Sequence, residues 1–293
     1  MTASQTAPAA TRAVSVLAQR LPALFVSHGS PMFALEPGHT GPALTQWGTQ
    51  LRAAFPGLRG VVVMSPHWMS RALEIMAASQ PATWHDFGGF PPELYALQYP
   101  APGAPALAQQ VAALLQAAGQ QPRLNPERPM DHGAWVPLMH LFPEADVPVV
   151  QIALPADAGP AAVYALGQAL RPLRDEGVLL LGSGSMTHNL RDFMTGNRAG
   201  LSYVQAFSRW IEERVSAHDT AALLDWQRQA PEALRAHPSD EHFLPLFFAL
   251  GAAGPGAEAD YLSREVMYDF LAMDSFALQD PSASAGAPAQ PLQ

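Results

Sequence analysis

The chain has 293 residues, 48% hydrophobic and 14% charged, with a formal net charge of −9, which is the profile of a globular protein large enough to bury a substantial core. All 16 basic side chains are arginine, and the chain contains neither lysine nor cysteine. Those two zeros exclude disulfides, thiolate nucleophiles, iron–sulfur clusters, Cys-ligated zinc, lysine Schiff bases and the Walker-A phosphate loop. The acidic balance argues against nucleic acid as a partner.

Residues 1–20 are rich in Ala, Thr and Ser, and their apolar stretch at 14–18 is too short for a secretory h-region. They read as a flexible N-terminal extension, and a cytoplasmic location is expected. No apolar run approaches the roughly 20 residues that a membrane span requires. Four short, β-rich apolar runs follow, at 21–26, 60–64, 147–154 and 177–181, each bounded by turn residues. Runs of this kind read as strands buried on both faces. Segments of helical period lie between and after them, at 42–55, 105–118, 160–174 and 201–217, several opening with a proline that a helix tolerates in its first turn. The alternation predicts a single α/β domain over 21–279, with a largely parallel central sheet flanked by helices on both faces. The Pro- and Gly-rich stretches 80–105 and 120–133 read as long loops of the kind that carry function. Residues 280–293, made of Pro, Ala, Ser and Gly with little to bury, read as a flexible C-terminal tail.

Three of the apolar runs lead within a few residues to a histidine: His28, His67 and His188. In a parallel sheet each strand delivers its C-terminal end to the same edge, where ligands bind, so these three histidines are expected to share one mouth. His237 and His242 precede a further apolar helical stretch, with a helix start expected near Glu241 or His242. His132 also stands just ahead of a helical stretch. His39, His85, His140 and His218 lack such placement. The GSGS sequence at 182–185 has neither the ending of a phosphate loop nor the spacing of a nucleophile elbow, and its glycines are expected to let backbone approach a ligand closely. The aromatics of the stretch 84–91 are candidates for lining an aromatic pocket.

With these pieces in place, the chain resembles the DODA-type extradiol ring-cleaving dioxygenases, relatives of the class III LigB-like enzymes. The matching segments are FVSHGSPM at 25–32, SPHW at 65–68, HDFGGFP at 85–91, DHGAW at 131–135, GSGSMTHNL at 182–190 and EHFLP at 241–245, which span nearly the whole expected domain in the family's order. The resemblance implies a metal held by His28, His67 and His242, with His188 as the acid/base residue. It further implies that His132 and His237 contact substrate or support the site. The implied cofactor is Fe(II), with Zn(II) as the other metal, and the implied substrates are a catechol such as DOPA together with O₂. The chain departs from the wider LigB-like pattern in one place: that pattern has a Glu as third ligand, whereas here His242 stands there beside Glu241. Three neutral donors suit zinc as well as iron, so a zinc hydrolase built on the same histidines is the alternative function.

Overall fold

The computed structural model describes residues 20–195 and 201–281. Most of the expected N-terminal extension and C-terminal tail lies outside the described residues. At the two described ends, Arg20 forms ion pairs with Asp175 and with Asp280, and Asp280 lies 3.5 Å from the buried Arg174.

The strands in chain order are β1 (Ala23–Ser27), β2 (Gly60–Ser70), β3 (Glu74–Met76), β4 (Arg123–Asn125), β5 (Val149–Pro155), β6 (Val178–Gly184), β7 (Glu258–Ser263), β8 (Val266–Met267), β9 (Leu271–Ala272) and β10 (Ser275–Gln279). Eight of them form one sheet in the order β4-β3-β5-β2-β6-β1-β10-β7, and β8 pairs with β9 separately. The four strands expected from apolar runs are its centre: β5, β2, β6 and β1 are all mutually parallel. Within this sheet the antiparallel pairings among the described residues are those of β3 with β5 and of β10 with β1 and β7, and the separate β8–β9 pair is antiparallel as well.

The central strands are apolar throughout because both of their faces are covered. Val62, Met64 and Leu180 point into one core with the helices Pro105–Ala117, Pro160–Leu170 and Leu244–Ala253, while Val61, Val63, Leu179 and Leu181 point into the other with Thr40–Ala54 and His132–Leu141. Helix Pro160–Leu170 ends earlier than expected and passes into a 3₁₀ turn over Arg171–Glu176. Pro172 lacks the N–H that would continue the α-helical ladder. Among the described residues no helix is long and apolar enough to cross a membrane.

Strand β2 runs further than its apolar segment. Its register against β5 jumps between Ser65 and Met69, so Pro66, His67 and Trp68 are looped out of the ladder. Proline cannot donate to a ladder and is accommodated at a bulge. The irregularity throws His67 out at the C-terminal mouth of the sheet, beside the end of β1.

Candidate metal centre

His28 directly follows β1, and its N–H extends the β1–β6 pairing by donating to Gly184 O at 2.9 Å. His67 sits on the bulge of β2. His242 arrives from the far end of the chain, in a hydrogen-bonded turn two residues ahead of helix Leu244–Ala253. That helix starts later than the expected Glu241 or His242: Phe243 caps it and Pro245 occupies its first turn, where the missing proline N–H has no partner to lose.

His242 reaches the sheet because β6 carries glycine. A Cβ on Gly184 would lie 2.3 Å from His242 O, and one on Gly182 would lie 2.0 Å from Pro245 O. The glycines of the GSGS stretch therefore admit the chain's own 242–245 backbone, where sequence reasoning expected them to admit a ligand. Ser185 N completes the junction by donating to His242 O at 2.8 Å.

The three imidazoles meet edge to edge. His28 Nε2 and His242 Nε2 lie 3.2 and 3.3 Å from His67 Nε2. Their other ring nitrogens are engaged outward. Helix His132–Leu141 contains Pro137, which has no N–H to give to Gly133 O. Ser183 Oγ takes that carbonyl as its acceptor. With its one proton so placed, the Ser183 hydroxyl can only accept from His28 Nδ1, 3.0 Å away. On His242, Nδ1 donates to Glu241 Oε1 at 2.9 Å. On His67, Nδ1 faces Asp86 Oδ2 at 3.6 Å. With the ring protons on Nδ1, all three Nε2 lone pairs point at one another, an arrangement that a cation relieves. A metal–nitrogen bond of ~2.1 Å with angles of roughly 90–110° at the ion sets donors about 3.0–3.4 Å apart, so the observed separations fit a divalent metal.

Burial lowers the pKa of His28 and of His242 well below the ordinary histidine value, and their imidazole neighbours push the same way. His67 is held down to about 3, first by burial and then by His132. Neutral imidazoles are the form that binds metal.

His188 lies against this cluster, its ring stacked on that of His242 with centroids 3.6 Å apart and 7° between planes. Burial lowers its pKa, opposed by the charge of Glu241. His132 opens helix His132–Leu141, with its ring 3.9 Å from that of His67 and 5.6 Å from that of His28. His237 is placed differently. It is 1% exposed, ringed by Phe207, Trp226 and Phe243, and its Nε2 donates to Met186 O at 2.9 Å behind the loop that carries His188. Of the remaining histidines, His85 and His140 bond the carbonyls of Leu97 and Phe33, and His39 and His218 are exposed.

Sequence reasoning missed the polar residues that hold these rings. Ser183 was passed over inside a glycine-rich stretch, and Asp86 inside an aromatic one. The buried Asp131 also went unread. It accepts from Ser65 Oγ at 2.9 Å and from Arg128 Nη2 at 3.1 Å, and Ser65 Oγ in turn accepts from His67 N. Burial pushes the Asp131 carboxyl up, against hydrogen bonds from Gln151 and Ser65. Arg128 is clasped between the rings of Trp68 and Trp84, 4.6 and 4.7 Å from their centroids. An aspartate just ahead of a helical stretch, three residues after an arginine, was the available signal. Phe87 stands edge-on to His132 at 5.5 Å and borders Phe90, Tyr95 and Trp135, so the expected aromatic wall does adjoin the cluster. Glu241, beside His242 in sequence, engages the outer edge of that ring. Among the described residues, two other groups of metal-compatible donors, His67–Asp86–His132 and His188–Glu241–His242, each include one of these outward carboxylates.

Residues 22–272 match the family described as the catalytic LigB subunit of aromatic ring-opening dioxygenase. The chain is 37% identical over 240 residues to the 4,5-DOPA dioxygenase extradiol of Beta vulgaris, covering 81% of this chain and 89% of that relative. It is also 37% identical over 241 residues to the protein of the same name from Escherichia coli K12, covering 80% and 85%. The crystal structure of an uncharacterized Escherichia coli K12 protein superposes with a TM-score of 0.64 at 28% identity, covering 88% of this chain and 99% of that one. The matched segment contains the whole histidine cluster, and on this ground the chain belongs to the LigB family of aromatic ring-opening dioxygenases, enzymes of the extradiol class.

Proposed function

We propose that this protein is a metal-dependent extradiol dioxygenase that opens a catechol ring, with an amino-acid catechol such as DOPA as the substrate to test first. The observation that carries this reading is the convergence of three Nε2 atoms within 3.3 Å of their neighbours, with a fourth imidazole stacked alongside and an aromatic wall next to it. In this reading His28, His67 and His242 are the protein ligands. When bound, Fe(II) would supply Lewis acidity toward the two catechol oxygens and a path for electrons between the ring and O₂. Zn(II) would fit the same donors without redox chemistry.

The protein's own groups supply the remainder. His188 takes a proton from a catechol hydroxyl and later returns one to the oxygenated product, a task suited to a histidine kept neutral by burial. His132 contacts the substrate from the side of His67. His237 supports the loop that carries His188, the role its enclosure among aromatics favours over direct substrate contact. Phe87 and its neighbours offer edges and faces to a planar ring. We place this chemistry in the cytoplasm.

Oxygen uptake measured with DOPA and plain catechol, after anaerobic loading with Fe(II) and beside a zinc-loaded control, tests the proposal. Uptake with a yellow ring-opened product in the iron form is expected. Absence of uptake from every catechol, together with ester or amide hydrolysis in the zinc form, would establish the hydrolase alternative instead.

A further inference from the structure

Asp86 lies in the loop between β3 and helix Pro92–Ala96, outside every strand and helix, and none of the roles proposed above involves it. Its two oxygens serve different histidines. Oδ1 accepts from both His132 N at 2.9 Å and His132 Nδ1 at 3.0 Å, and Oδ2 lies 3.6 Å from His67 Nδ1. The side chain is 7% exposed, so these contacts are hardly diluted by water. With Oδ1 taking two N–H donors, the carboxylate acts as an acceptor: it holds the ring proton of His132 on Nδ1 and, at longer range, favours one on His67 Nδ1. His132 is then left with a bare Nε2, without a hydrogen-bond partner among the described residues, on the ring that packs 3.9 Å from His67.

We infer that Asp86 is a positioning residue that sets the tautomer and orientation of His67 toward the metal and of His132 toward a substrate hydroxyl, tying metal hold to catechol recognition through one carboxylate. A carboxylate behind a metal-binding histidine is a general device for orienting it. Here the same carboxylate also orients a second ring beside the cluster, as the acid of a catalytic triad orients its histidine. The substrate half of this inference rests on the dioxygenase reading. The tautomer and metal halves do not.

The experiment therefore has readouts that need no turnover. Long-range ¹⁵N–¹H correlation spectra of the histidine rings in the metal-free wild-type protein are expected to show His67 and His132 protonated on Nδ1. Protonation on Nε2 in either ring would overturn the inference. Asp86→Asn, whose fold is checked by circular dichroism, is expected to bind Co(II) about 10- to 100-fold more weakly, read from the visible spectrum of the Co(II) form. His132→Ala should stay within about threefold of wild type in that titration. With Fe(II) at saturation and DOPA as substrate, kcat/KM should fall in both single variants, and Asp86→Asn should add little to the loss already present in His132→Ala. Wild-type Co(II) affinity in a folded Asp86→Asn protein, or fully additive losses in kcat/KM, would overturn the inference. Nδ1 tautomers and weakened Co(II) binding in a protein that takes up no O₂ would support the placement of Asp86 and count against the dioxygenase reading alone.

Discussion

Replacing Gly184 by alanine tests whether the close approach of the 242–245 segment to β6 builds the proposed metal centre. The new methyl would stand 2.3 Å from His242 O and 3.3 Å from Pro245 Cγ, where ordinary contact begins near 3.4 Å. The segment must therefore retreat by about 1 Å at the residue whose imidazole completes the cluster. Overpacking of this kind costs about 1–3 kcal/mol, and the retreat also stretches the Ser185 N to His242 O bond, now 2.8 Å, worth about 1 kcal/mol. Urea denaturation of the metal-free protein should thus show a loss of about 2–4 kcal/mol. Displacing a proposed ligand by that distance should lower kcat by about 100-fold and weaken Co(II) binding in parallel. Gly57→Ala is the matched control, because a Cβ there meets nothing within 4 Å and the change should stay within about 0.5 kcal/mol. Unchanged stability together with unchanged Co(II) affinity in Gly184→Ala would refute the idea that this glycine places His242.

Ser183→Ala leaves Gly133 O and His28 Nδ1 without their shared partner; Co(II) affinity should fall by about 10- to 100-fold, and an equal affinity would show that His28 needs no such anchor. His188→Ala should keep its metal and lose about 100-fold or more in kcat, whereas His67→Ala should lose tight metal binding, both readable by metal analysis after dialysis. Acid should destabilise the metal-free protein. His28, His67, His188, His237 and His242 all have folded pKa values below 6.5, with His67 and His237 near 3. Below 6.5 the unfolded chain therefore binds more protons than the folded one, and stability falls by about 1.4 kcal/mol per pH unit for each histidine that stays neutral. Asp131 and Asp274, both raised by burial, act in the opposite sense, but the histidines outnumber them. Urea midpoints at pH 7 and pH 5.5 measure the difference, and a flat profile would contradict the burial of these rings.

The sequence alone determined the middle of the molecule. Runs such as the one at 60–64 are apolar at consecutive positions, which only a strand covered on both faces uses fully, and three such strands each lead to a histidine at one sheet edge. The outer strands were not legible. β3 and β4 have three residues each, and β7 is a half-exposed edge strand with no apolar run to mark it. The bulge that turns His67 outward is a matter of register against β5, which a single strand's sequence does not encode. His242 joins the cluster only because two glycines of β6 let a segment some sixty residues later in the chain lie against it. The outward partners Ser183 and Asp86 were invisible for a related reason: a serine or an aspartate becomes an orienting group through the ring it faces, and the fold alone chooses that ring. Local pattern could nominate the donors because apolar periodicity and strand ends are properties of neighbouring residues. Their tautomers, their spacing and their neutrality arise from contacts between remote segments in a dry interior, and those only the tertiary structure decided.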